Sequence, residues 1–148
     1  RTDDAYLVGV RLLDPGEIDW FAEGECRLVS MPDVDSLGLD TAIQQVIARI
    51  RSSGVDAVHL SFDVDALDPL VLSGTGTPVR GGFTYREAAR MFRMIRDADL
   101  PIRSVDWVEL NPDLDPTGVS TEIAADLLSV LLGEDVFPRS RPRDCAAQ

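Results

Sequence analysis

A chain of 148 residues fits a single domain, long enough to bury roughly 70% of the surface that its unfolded form exposes. Hydrophobic residues at 45% and charged residues at 27% are the balance of a soluble globular protein, and no apolar run approaches the ~20 residues of a bilayer crossing. A net charge of -12 and a pI near 4.3 exclude the basic face that a nucleic-acid backbone requires; an acidic surface favours a cationic ligand, and it equally fits an ordinary solvated exterior.

Ala5–Val10 (AYLVGV) reads as a buried strand, closed by the turn Asp14-Pro15-Gly16-Glu17 and followed by a short helix to about Glu25. Arg27–Ser30 is a second, short strand. Leu39, Ile43, Val46, Ile47 and Ile50 share one helical face, which predicts a helix over Leu39–Arg51 with Asp40 as N-cap and Gly54 beyond its end. Ala57–Val64 (AVHLSFDV) alternates apolar and polar residues as a strand does. A loop rich in Gly, Thr and Pro then runs from Ala66 to Gly82. Thr84 with Glu87 forms a capping box that opens a helix to about Ala98. Ile102–Val108 is the fourth strand, Thr117–Leu132 the last helix, ended by Gly133, and 137–148 an Arg/Pro-rich, disordered tail. Strands alternating with helices predict an α/β fold with a parallel sheet, whose ligands bind beyond the carboxyl ends of the strands. The Asp14 turn, the aspartates after Phe62 and the segment after Trp107 all fall there.

Asp63 and Asp65 end the strongest strand at positions i and i+2, with Asp68 three residues on. Such carboxylates repel one another unless hydrogen-bonded or joined by a hard cation. The spacing alone leaves two readings open, a metal site or an Asp-rich turn. Leu67 and Asp68 stand where a helix–loop–helix calcium site needs Asp/Asn and Gly, and Leu67 also disfavours an aspartyl phosphotransferase. No phosphate loop is present either, because no Gly-Lys-Ser/Thr follows the glycines. His59 lies four residues before Asp63 and shares its face of the strand, which suits packing or a supporting role better than ligation.

The run His59–Pro69 (HLSFDVDALDP), then Gly74–Val79 (GTGTPV), Gly81–Glu87 (GGFTYRE), Asp14–Glu17 (DPGE) and Glu109–Asp115 (ELNPDLD) closely resembles the arginase family of ureohydrolases, in order and across nearly the whole chain. The resemblance implies a three-layer α/β/α parallel sheet of the arginase type, present in part, with residues 1–136 forming the C-terminal part of such a domain. It implies manganese-dependent hydrolysis of the arginine guanidinium group to ornithine and urea. Asp63 would bridge two manganese ions and Asp65 would bind one of them. Glu109 would pair with the substrate guanidinium, with Thr77 hydrogen-bonding to Glu109, and Asp14 would sit near the substrate α-amino group with Glu17 close by. Asp68 before Pro69 is a turn-former. Agmatinases share the aspartate run and the GTGTP loop, so an agmatinase-type activity is the alternative; DPGE and ELNP are closer to arginase. Leu72-Ser73 replaces the common Ala-Pro before the loop, and Leu12 occupies a position acidic in some relatives, which bears on substrate preference.

Arginases are about twice as long, and their N-terminal half carries histidine-bearing metal ligands that this chain lacks. The first residue is Arg1 rather than Met, so the chain is expected to begin inside a longer protein, and its first residues read as no cleavable leader. Two distant cysteines, Cys26 and Cys145, fit a reducing cytoplasm. The expected chain is therefore an incomplete site, completed by further polypeptide, in a homo-oligomer (trimer or hexamer). The non-enzymatic alternative is a metal-dead interaction module that keeps the arginase fold.

Overall fold

The computed structural model describes residues 4–24 and 26–134. Four strands and five helices follow one another as β1 (Tyr6–Val10), α1 (Pro15–Ala22), β2 (Arg27–Ser30), α2 (Met31–Leu37), α3 (Leu39–Ser53), β3 (Val58–Asp63), α4 (Tyr85–Asp97), β4 (Ile102–Val108) and α5 (Val119–Leu132). The expected tail, 137–148, and Cys145 lie outside the described residues. All strand pairing is parallel, but it forms two separate sheets, β1–β2 and β3–β4, where the sequence suggested one. Strand patterns announce strands and leave their neighbours unnamed.

Most element boundaries have local causes. Thr84 Oγ1 accepts the Glu87 amide while Glu87 Oε2 accepts the Thr84 amide, so the predicted capping box starts α4. α2 was not predicted, and Pro32, a residue that breaks helix interiors, lies within it. It stands in the helix's first turn, where a missing N–H costs nothing, and Ser30 with Asp33 builds a second capping box. Asp40 is not the N-cap of α3. Gly38 takes that place at φ +80, and Asp40 pairs instead with Arg90 of α4, accepting from its Nε at 2.7 Å. α3 ends at Gly54 in the left-handed conformation that glycine adopts without strain.

One apolar cluster joins α2, α3, α4 and α5 to the strands. At its centre Phe62 meets Phe92 edge-on at 4.9 Å, and Trp107 lies 4.6 Å from Phe62 and 5.2 Å from Phe92. Such contacts add ~0.5–1.5 kcal/mol per pair beyond burial. Alternation along β3 and β4 turns Leu60, Phe62, Val105 and Trp107 into this cluster. It leaves His59, Ser61, Ser104, Asp106 and Val108 exposed on the opposite face. There His59 Nδ1 shares a 2.8 Å hydrogen bond with Ser104 Oγ, and Nε2 lies 3.4 Å from Asp106 Oδ2.

Candidate metal and guanidinium site

β3 ends at Asp63, and the chain tightens at once into a 3-10 turn, Val64–Ala66. Asp63 caps that turn, its Oδ1 accepting the Asp65 amide at 2.9 Å. Val64, fully buried, anchors the turn, so Asp63 and Asp65 stay together at the carboxyl end of the strand. Burial pushes the Asp63 carboxyl up to about 6, the Asp65 and Glu109 charges adding to the rise against the Asp65 amide hydrogen bond. Three carboxylates thus crowd one another at this strand end.

Glu109 directly follows β4, whose Val108 is in register with Asp63. Its φ of +65 lies in the left-handed region, at ~1–2 kcal/mol for a residue bearing a Cβ. Flanking contacts hold it there: Leu110 bridges Thr75, and the Asn111 amide donates to Gly74 O at 2.8 Å. Gly74 in turn donates to Ser120 Oγ at 2.9 Å, and a Cβ on it would meet Ser120 Cβ at 2.8 Å and Asp115 Cβ at 2.9 Å. Only glycine fits this crossing of loop and helix.

The expected hydrogen bond from Thr77 to Glu109 is not the one formed. Thr77 Oγ1 donates to Asp65 Oδ2 at 2.8 Å. Thr77 lies between two fixed points of the loop, the bridge from Thr75 to Leu110 and a hold at Val79. That hold is Arg11, a residue the sequence reading did not single out. Its guanidinium reaches from the end of β1 to donate to Asp65 O at 2.6 Å and to Val79 O at 2.7 Å. Nothing in a lone arginine after a strand signals this.

Asp68 behaves as the turn-former it was read to be. Its carboxylate accepts the Leu70 amide at 2.9 Å and the Gly81 amide at 2.8 Å, which hold it below the ordinary carboxylate range. Asp14 and Glu17 open α1, with Glu17 Oε2 accepting the Asp14 amide at 2.7 Å. They share the strand-end edge with the aspartates but make no hydrogen bond to Asp63, Asp65 or Glu109 among the described residues. Asp115 is held below the ordinary range although burial pushes it up, because hydrogen bonds from Thr121 and Ser120 outweigh that. It fixes the start of α5 behind the loop.

The donors at the site are hard carboxylate oxygens, the kind that suits manganese or magnesium. Among the described residues no group of three or more His, Cys, Asp or Glu side chains is arranged to hold a metal ion. Asp63 and Asp65 thus offer oxygens of the right kind, but not a complete ligand set among the described residues.

Residues 1–133 match the Arginase family. The chain belongs to that family. Arginase of Staphylococcus aureus (strain COL) is 40% identical over 137 residues, 93% of this chain and 45% of that protein. Arginase of Bacillus caldovelox is 39% identical over the same shares of each chain. In three dimensions the crystal structure of arginase from Bacillus subtilis aligns with a TM-score of 0.85 at 36% identity, covering 93% of this chain and 48% of that one. The architecture is thus an arginase fold present in part, and the chain spans about half the length of the relatives it matches. The arginase-family segments of the sequence are those that build the aspartate turn, the glycine loop and the Glu109 corner.

Proposed function

We propose that this chain provides the carboxylate part of a manganese-dependent ureohydrolase acting on arginine, completed by polypeptide beyond it. The observation that carries this reading is the pairing of Asp63 and Asp65 at the end of β3 with Glu109 beside them just past the end of β4. Asp63 and Asp65 would hold manganese, which when bound supplies the Lewis acidity that activates water near neutral pH. Thr77 fixes the rotamer of Asp65, and Arg11 fixes its backbone. Glu109 presents a carboxylate that a guanidinium can pair with bidentately, holding its carbon toward the aspartates. Asp14 and Glu17, which follow β1 and open α1, would meet the α-amino group of the substrate.

Calorimetric titration with manganese, with urea release from arginine assayed alongside, tests the reading. The chain alone binds manganese weakly, Asp63→Asn and Asp65→Asn abolish that binding, and urea is released only when the remaining polypeptide is supplied. A folded chain that takes up no manganese refutes it.

A further inference from the structure

Val8 of β1 and Val29 of β2 are partners across the first sheet, and both pack against the core. Two positions earlier, alternation returns to the same face. The partners there are Tyr6 and Arg27, a phenol and a guanidinium where the core pattern asks for apolar side chains. α3 ends beside them, with Arg49, Ser52 and Ser53 spaced three and four residues apart on one side of the helix. Together with Asp4 these residues line one hollow of about 370 Å³. Tyr6 precedes Arg11 by roughly 16 Å of strand, so the hollow and the aspartate turn stand at opposite ends of β1.

Neither the Arg27 nor the Arg49 guanidinium has a hydrogen-bond or ion-pair partner among the described residues. In a chain of net charge -12, two unpaired guanidiniums in one hollow are a local reversal of sign. The Asp4 carboxylate and the Tyr6 hydroxyl are also unpartnered among the described residues, so the opposite charges share the hollow without closing on each other. The serine hydroxyls turn back on their own helix. Ser52 Oγ donates to Arg49 O at 2.9 Å and Ser53 Oγ to Ile50 O at 2.8 Å, which covers two carbonyls at the negative end of α3.

We propose that this hollow binds inorganic phosphate. Each guanidinium offers N–H donors in a planar fork and no acceptor, and the Tyr6 hydroxyl adds a further donor, the set that an oxyanion takes. The Asp4 carboxylate only accepts, so it admits an oxyanion that still carries a hydroxyl to donate. Phosphate keeps a P–OH at neutral pH, whereas sulfate and the dianion of a phosphate monoester keep none. The ligand is therefore the free ion, with its oxygens on Arg27 and Arg49 and its hydroxyl on Asp4. The proposal is independent of manganese and of the reaction.

Calorimetric titration of the full chain with sodium phosphate at pH 7.5, at fixed ionic strength and with a chelator present, tests it. Phosphate fills one site, and Arg27→Gln and Arg49→Gln each weaken it by about 10-fold or more. Arg103→Gln, at an exposed arginine of β4, leaves the affinity within about twofold. Sulfate and methyl phosphate bind the parent about 10-fold or more weaker than phosphate, and Asp4→Asn, which can donate, closes that gap. The four changed side chains are exposed, so every variant keeps the helical circular dichroism of the parent. Absence of phosphate binding, or an equal loss in Arg103→Gln, overturns the proposal. So does sulfate binding as tightly as phosphate, which leaves only unselective charge attraction, and so does methyl phosphate doing so, which assigns the hollow to a phosphate monoester.

Discussion

Replacing Asp63 by Asn removes a carboxylate that the fold crowds against two others, and the consequence for stability has a definite sign. The Asp63 carboxyl rises from 3.8 to about 6 on folding. The folded chain therefore binds this proton more tightly than the unfolded chain does. Stability from the shift is fully present below about pH 4 and is lost as pH rises through about 6. Full conversion of that rise gives about 3 kcal/mol, and the partial exposure of the side chain reduces it to ~1–1.5 kcal/mol through solvent screening. Asparagine keeps the shape and the acceptor for the Asp65 amide while carrying no charge. In urea titrations with a chelator present, Asp63→Asn should come close to the parent near pH 3.5 and exceed it by ~1–1.5 kcal/mol at pH 7.5. Manganese should reverse the order at pH 7.5, because only the ionised carboxylate gains from a cation. A difference between the two proteins that stays constant from pH 3.5 to 7.5 would refute the assignment of the shift to Asp63.

Gly82→Ala places a Cβ 2.5 Å from Leu67 C and 2.6 Å from Ala66 O, both backbone atoms of the turn after β3; overpacking of this kind should cost ~1–3 kcal/mol in chemical denaturation. Phe92→Ala empties the centre of the Phe62–Trp107 cluster and should destabilise by ~3–5 kcal/mol, read from the shift in urea midpoint at unchanged slope. Thr84→Ala removes the N-cap oxygen of α4 and should cost about 1 kcal/mol by the same measurement. Thr77→Val keeps the shape but frees the Asp65 carboxylate, so calorimetric manganese affinity should fall with little change in folding stability.

All four strands and the opening of α4 were legible because each rests on neighbours in sequence: alternation for β3, a Thr–Glu box for α4. α2 was missed, and it carries Pro32, whose meaning reverses between the first turn of a helix and its interior. Asp40 had the chemistry of a cap, but Gly38 already turns the chain there, and Arg90, 50 residues away, claims its carboxylate. The aspartate pair could be read from its i, i+2 spacing after a strand. The Glu109 corner was legible only through resemblance, since its left-handed backbone depends on Thr75 and Gly74 from another segment. The split between the sheets could not be read at all: strand patterns carry direction and burial, not adjacency.

Arg11 ties the main chain of Asp65 to a strand 54 residues earlier and also holds the carbonyl of Val79. Lysine offers no planar fork to serve two carbonyls at once, so even that exchange, conservative in charge, loosens the anchor. A position outside the proposed metal site thereby sets the lateral placement of the Asp65 carboxylate. If the proposed function holds, inherited variation just past β1 would surface as a change in manganese affinity, far along the chain from the carboxylate it affects.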